Sequence, residues 1–100
     1  MFYNVLKAKD INTDNTRFER KTLLENSDSS LEIITLKKDE IIDTHTSNAD
    51  AAVYVIDGKI EIHFDAEKFE LGKEEIIMFK KDTEHKVFAW KDSIFLVIKI

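Results

Sequence analysis

The chain has 100 residues, 43% of them hydrophobic, with ten aromatics, no cysteine and a formal net charge of −5. That length allows one domain, and the lack of cysteine excludes a disulfide, a thiolate zinc site and a cysteine nucleophile. Its lysines alternate with acids, as in Lys73-Glu74-Glu75, whereas nucleic-acid and anionic-membrane surfaces need clustered Lys and Arg.

The opening residues, MFYNVLKAKD, lack the basic stretch and apolar centre of a secretory signal. The longest apolar run, Ala51 to Ile56, is far short of the roughly 18 residues that span a bilayer. A cytoplasmic protein with no nucleic-acid or membrane partner is the expectation. Residues 1–30 carry no distinctive signal. Leu31–Leu36 is the first strand-like run, and Asp43-Thr-His-Thr-Ser47 is a polar stretch around His45. Val53 to Ile56 is β-branched and apolar on both faces, which predicts a central strand.

Asp57-Gly58 is the best hairpin signal, since Gly takes positive φ without strain and Asp tolerates it. From Gly58 to Asp65 the period is two: Ile60, Ile62 and Phe64 share one face, while Glu61, His63 and Asp65 share the other, predicted to be solvent. Residues 66–81 admit two readings. A helix would align Phe69, Ile76 and Phe79 on one stripe, whereas Gly72 and the alternation of Phe69 with Leu71 favour strands. Glu75–Phe79, Lys86–Trp90 and Ile94–Ile98 complete the set, and Phe88, Trp90, Met78 and Phe79 read as core or subunit contacts. Strands separated by short turns predict an all-β sandwich or barrel.

Two spaced patterns resemble the motifs of the cupin family. The first motif is Gly, five residues, His-x-His, three or four residues, Glu, six residues, Gly. With its last Gly at Gly58, the Glu slot falls on Ala51, the His slots on Ser47 and His45, and the first Gly slot on Asp39. The second motif is Gly, five residues, Pro-x-Gly, two residues, His, three residues, Asn. Anchored at His85, it falls on Glu74, Lys80, Asp82 and Ala89. His45, Gly58 and His85 are the three matches among ten positions.

The resemblance covers residues 31–100 and implies a single cupin-like double-sheet β-barrel of jelly-roll type. Residues 1–30 would then add outer-sheet strands or pair with a second subunit, and a homodimer is expected. It also implies a site inside the barrel, with His45, Ser47, Ala51, Val53, His85 and Val87 as pocket candidates. The family's metal is held by three imidazoles and a carboxylate, a set suited to Mn, Fe, Ni or Zn. Only His45 and His85 remain of it here, so no metal is expected; if one binds, those two residues hold it.

Three readings of function follow. The first is a metal-free barrel that binds a small molecule or serves as an interaction module. The second is a metal-dependent isomerase or dioxygenase with a non-standard ligand set built on His45 and His85. The third is metal-independent acid–base catalysis by His45 or His85, as in epimerase-like cupins. The first predicts open volume in the barrel, the second a third ligand, and the third a His paired with a buried acid.

Overall fold

The structure is a computed structural model and describes residues 3–12 and 17–100. Among these residues nine strands form two antiparallel sheets: β1 (Phe18–Glu25), β2 (Ser30–Leu36), β3 (Ile41–His45), β4 (Ala51–Asp57), β5 (Lys59–His63), β6 (Lys68–Gly72), β7 (Ile76–Phe79), β8 (His85–Ala89) and β9 (Ser93–Lys99). The order is β1-β2-β9-β4-β7 in one sheet and β3-β8-β5-β6 in the other. Residues 66–81 therefore hold two strands, β6 and β7, rather than a helix. Part of the first thirty residues, β1, extends the five-stranded sheet by pairing with β2.

The core lies between the sheets, because alternate residues of each strand face inward. Val53 and Val55 of β4 meet Ile60 and Ile62 of β5, with Val87 and Ala89 of β8 beside them; all six are buried. Phe95 is the largest fully buried side chain, and burying such a ring contributes about 1.5–3 kcal/mol.

At the β4–β5 corner the chain crosses from one sheet to the other. Gly58 has φ 95°, and a Cβ there would sit 2.5 Å from the Asp92 carbonyl oxygen. The fully buried Ser93 ties this corner to β9: its Oγ accepts from the Lys59 amide at 3.1 Å and donates to the Lys91 carbonyl at 2.7 Å.

The other face of β5 departs from expectation. Glu61 is buried, not solvated. The Trp90 indole donates to its Oε2 at 3.1 Å, and His63 Nε2 is bonded to its Oε1. Burial alone would raise the Glu61 pKa, but these two hydrogen bonds and the charge of Lys68 hold it below the ordinary carboxylate value. A neighbouring indole, one strand over, closed a face that alternation assigned to water.

Candidate functional site

His45 is exposed at the end of β3, yet a β-bulge turns it onto the cavity at the mouth of the barrel. Ile42 pairs with Val87, yet His45 pairs with His85, so β3 spends one extra residue on the interval. Strict alternation from the inward Ile42 would turn His45 outward; the bulge re-aims it. His85 lies two residues from Val87 on β8 and needs no such device. The ring centroids are 4.1 Å apart at an interplanar angle of 59°.

Both rings are oriented in the same way. His45 Nδ1 lies 2.8 Å from the Asp43 carbonyl oxygen, and His85 Nδ1 lies 2.9 Å from that of Thr83. A carbonyl only accepts, so Nδ1 donates in each ring, and Nε2 carries the lone pair of the neutral imidazole. Burial pushes His85 below the ordinary imidazole range; the nearby charges of His45 and Lys99 act in the same direction, while the bond to Thr83 opposes them.

His45, Ser47, Ala51, Val53, His85 and Val87 all line one cavity at this end of the barrel. Ser47 follows the end of β3 rather than sharing the strand with His45, and its Oγ accepts from the Ala49 amide at 3.3 Å. The cavity measures about 30 Å³, room for about two waters. Val53, Val55, Val87 and Ala89 fill the space beyond it. Phe79, whose ring centroid is 4.6 Å from that of His85, forms one wall. It also lines a separate cleft of about 440 Å³ with Phe64, Phe69 and Leu71, where β6 and β7 leave the two sheets unpaired.

The same cavity holds three charged residues that motif spacing did not indicate: Glu32 of β2, Arg20 of β1 and Lys99 of β9. Lys99 Nζ stands 3.4 Å from Glu32 Oε1, and Arg20 Nε stands 3.8 Å from Oε2. The Glu32 side chain is only 10% exposed, and its Oε1 has no hydrogen-bond partner. A signal was present in the sequence: Glu32 stands at the two-residue spacing from Ile34 and Leu36, on the face that those two bury.

The family's metal set does not fit these residues. Ala51 has no donor atom and the Ser47 hydroxyl is a poor ligand when neutral. Asp50 is turned away, its carboxylate accepting from the Lys81 amide and from Lys80 Nζ at 3.0 Å each. Among the described residues no group of three or more His, Asp or Glu converges to hold an ion, and catalytic sites for these metals use at least three protein ligands.

Comparisons with known proteins agree on the architecture. A conserved protein of unknown function from Streptococcus pyogenes superposes with a TM-score of 0.82 at 22% identity, over 98% of this chain and 91% of that one. A cupin superfamily protein from Desulfitobacterium hafniense gives 0.88 at 16% identity, over 100% and 92%. An RmlC-like cupin from Desulfovibrio desulfuricans gives 0.84 at 19%, over 98% and 95%. These identities speak for the fold alone. No curated protein matches the chain. The family model described as Cupin domain matches residues 32–99, nearly the whole barrel. The chain belongs to the cupin domain family.

Proposed function

We propose that this cupin barrel binds a small polar molecule at the His45–His85 pair without the family's metal. The observation that carries the reading is the shared orientation of the two rings: both Nδ1 atoms are tied to backbone carbonyls. Both Nε2 atoms are left without a hydrogen-bond partner among the described residues beside one cavity. Fixed acceptors that converge on a small opening are the working parts of a ligand site. The cavity's size limits what enters to a two- or three-atom polar group, so a larger ligand inserts only its end.

The test is elemental analysis of protein purified without chelator, followed by titration with small polar solutes under imidazole ¹⁵N NMR. Saturable shifts at His45 and His85 in metal-free protein support the reading. Stoichiometric Mn, Fe, Ni or Zn that disappears in a His45→Ala, His85→Ala variant replaces it with the metal-dependent enzyme.

A second observation favours assembly with another copy of the chain. On its β9-β4-β7 side the five-stranded sheet is apolar on its outer face as well as its inner one: Tyr54, Ile76, Met78, Leu96 and Ile98 fall on register there, with Ile100 beside them. Met78 is 69% and Ile100 73% exposed. β7 is also an unpaired edge strand, and covering such an edge and face is a common reason for pairing. None of these side chains is charged, so a two-fold contact brings no like charges together.

A further inference from the structure

Resting on the barrel-site reading above, the geometry points to a small hydroxy carboxylate as the group recognised: a hydroxyl seated on the two imidazoles and Glu32, with its carboxylate toward Arg20 and Lys99. The argument is an inventory of what the cavity lacks. His45 Nε2 and His85 Nε2 are acceptors without donors, because each ring's proton is committed to a carbonyl through Nδ1. Glu32 Oε1 is a third acceptor, held on a side chain nine-tenths buried; the Lys99 ammonium stands 3.4 Å away as a charge partner but makes no hydrogen bond to it. A buried carboxylate oxygen left unsatisfied costs more than a made bond returns, so such an atom calls for a donor. The three atoms belong to residues lining one space of about 30 Å³. A hydroxyl supplies that donor at the least volume.

Charge decides the other half. Arg20 and Lys99 each pair with Glu32 by charge, at 3.8 and 3.4 Å, without a hydrogen bond. Two cations against one carboxylate leave one positive charge over when both imidazoles are neutral, and a ligand ammonium is disfavoured there. The side chains of Arg20 and Lys99 are 42% and 30% exposed and His45 is exposed as well, so these three form the wetter rim, with buried His85 and Glu32 as the deeper wall. A monoanion whose hydroxyl lies next to its carboxylate matches both layers.

Glycolate, acetate and ethylene glycol test this directly, since all three carry two carbons and differ only in which half they present. Each is titrated into metal-free protein while the imidazole ¹⁵N signals are followed. Glycolate is expected to bind at least tenfold more tightly than either of the others and to shift both histidines. Glu32→Gln is expected to remove most of the preference for glycolate over acetate, and Lys99→Gln most of that over ethylene glycol. Thermal melts of both variants report whether the fold survives, and wild-type discrimination alone decides the matter if it does not. Equal binding of acetate or ethylene glycol overturns the hydroxy-carboxylate inference and leaves the barrel-site reading standing. No histidine shift with any of the three overturns both.

Discussion

Asp39 and Asp82 hold the same left-handed backbone, with φ of 70° and 64°, in two turns of identical sequence, Lys-Lys-Asp. Each turn is fastened alike. The amide of Asp39 donates to the Ala89 carbonyl, and that of Asp82 to the Ser47 carbonyl, both at 2.8 Å. The second lysine's amide is capped by an aspartate from another loop: Lys38 by Asp92 at 2.9 Å, and Lys81 by Asp50 at 3.0 Å. The first lysine pairs with that same aspartate. These backbone hydrogen bonds, with the lysine charges, hold the Asp92 and Asp50 carboxyls below their ordinary range.

Asp39 and Asp82 occupy glycine slots of the cupin motifs, and so does Glu74, at φ 68°. With Gly58 they are the positive-φ residues among those described. Left-handed backbone costs an L-residue roughly 1–2 kcal/mol, less for Asp than for Glu. Glycine removes that cost but loses about 0.5–1 kcal/mol of chain entropy. Glu74→Gly is therefore expected to stabilise the fold by about 0.5–1 kcal/mol, and Asp39→Gly or Asp82→Gly by less. Urea midpoints check the order, and a destabilised Glu74→Gly protein would refute it.

Gly58 is the opposite case. A Cβ there would lie 2.4 Å from Ser93 Oγ and 2.5 Å from the Asp92 carbonyl oxygen, on a backbone at φ 95°. Strain and overlap both count against it, and Gly58→Ala is expected to cost about 3 kcal/mol or more. A thermal melt within a few degrees of wild type would show that the β4–β5 corner yields.

Stability is expected to depend on pH through His85. Its folded pKa is depressed, so on acidification the unfolded chain takes up the proton first, near 6.5. The stabilisation is complete above that value and is lost as pH falls toward the folded pKa. The slope cannot exceed about 1.4 kcal/mol per pH unit, the limit for one proton. The groups around the ring are His45 from β3, Lys99 from β9, Glu32 from β2 and Arg20 from β1, with uncharged Phe79 from β7. Urea midpoints between pH 7.5 and 5.5 should fall in wild type and flatten in His85→Gln. Equal slopes in the two proteins would assign the dependence elsewhere.

The outer face of the five-stranded sheet makes a separate prediction. Light scattering is expected to give a dimer mass for wild type and a monomer mass for Met78→Lys, Ile98→Lys, with the cavity's ligand response unchanged. A wild-type monomer at high micromolar concentration would dismiss the contact.

Most of the fold was legible in the sequence, because the two-residue period at Ile60, Ile62 and Phe64 and the β-branched run at Val53–Ile56 are local signals. β1 was not, since Phe18–Glu25 carries little burial of its own and is held by pairing with β2. The site was half legible. Motif spacing led to His45 and His85, but the bulge that turns His45 inward depends on register with β8, which no local pattern encodes. Glu32, Arg20 and Lys99 meet only when β1, β2 and β9 are laid side by side. Glu61 was misread for the same reason: the indole over it comes from beyond β8.

Phe79 gives the barrel a wall that is shared property. Its ring lines both the small chamber at His85 and the larger cleft at the seam between the sheets. A ligand seated at the histidines as proposed would meet there a wall with no polar atom to offer, so its polarity on that side would gain it nothing.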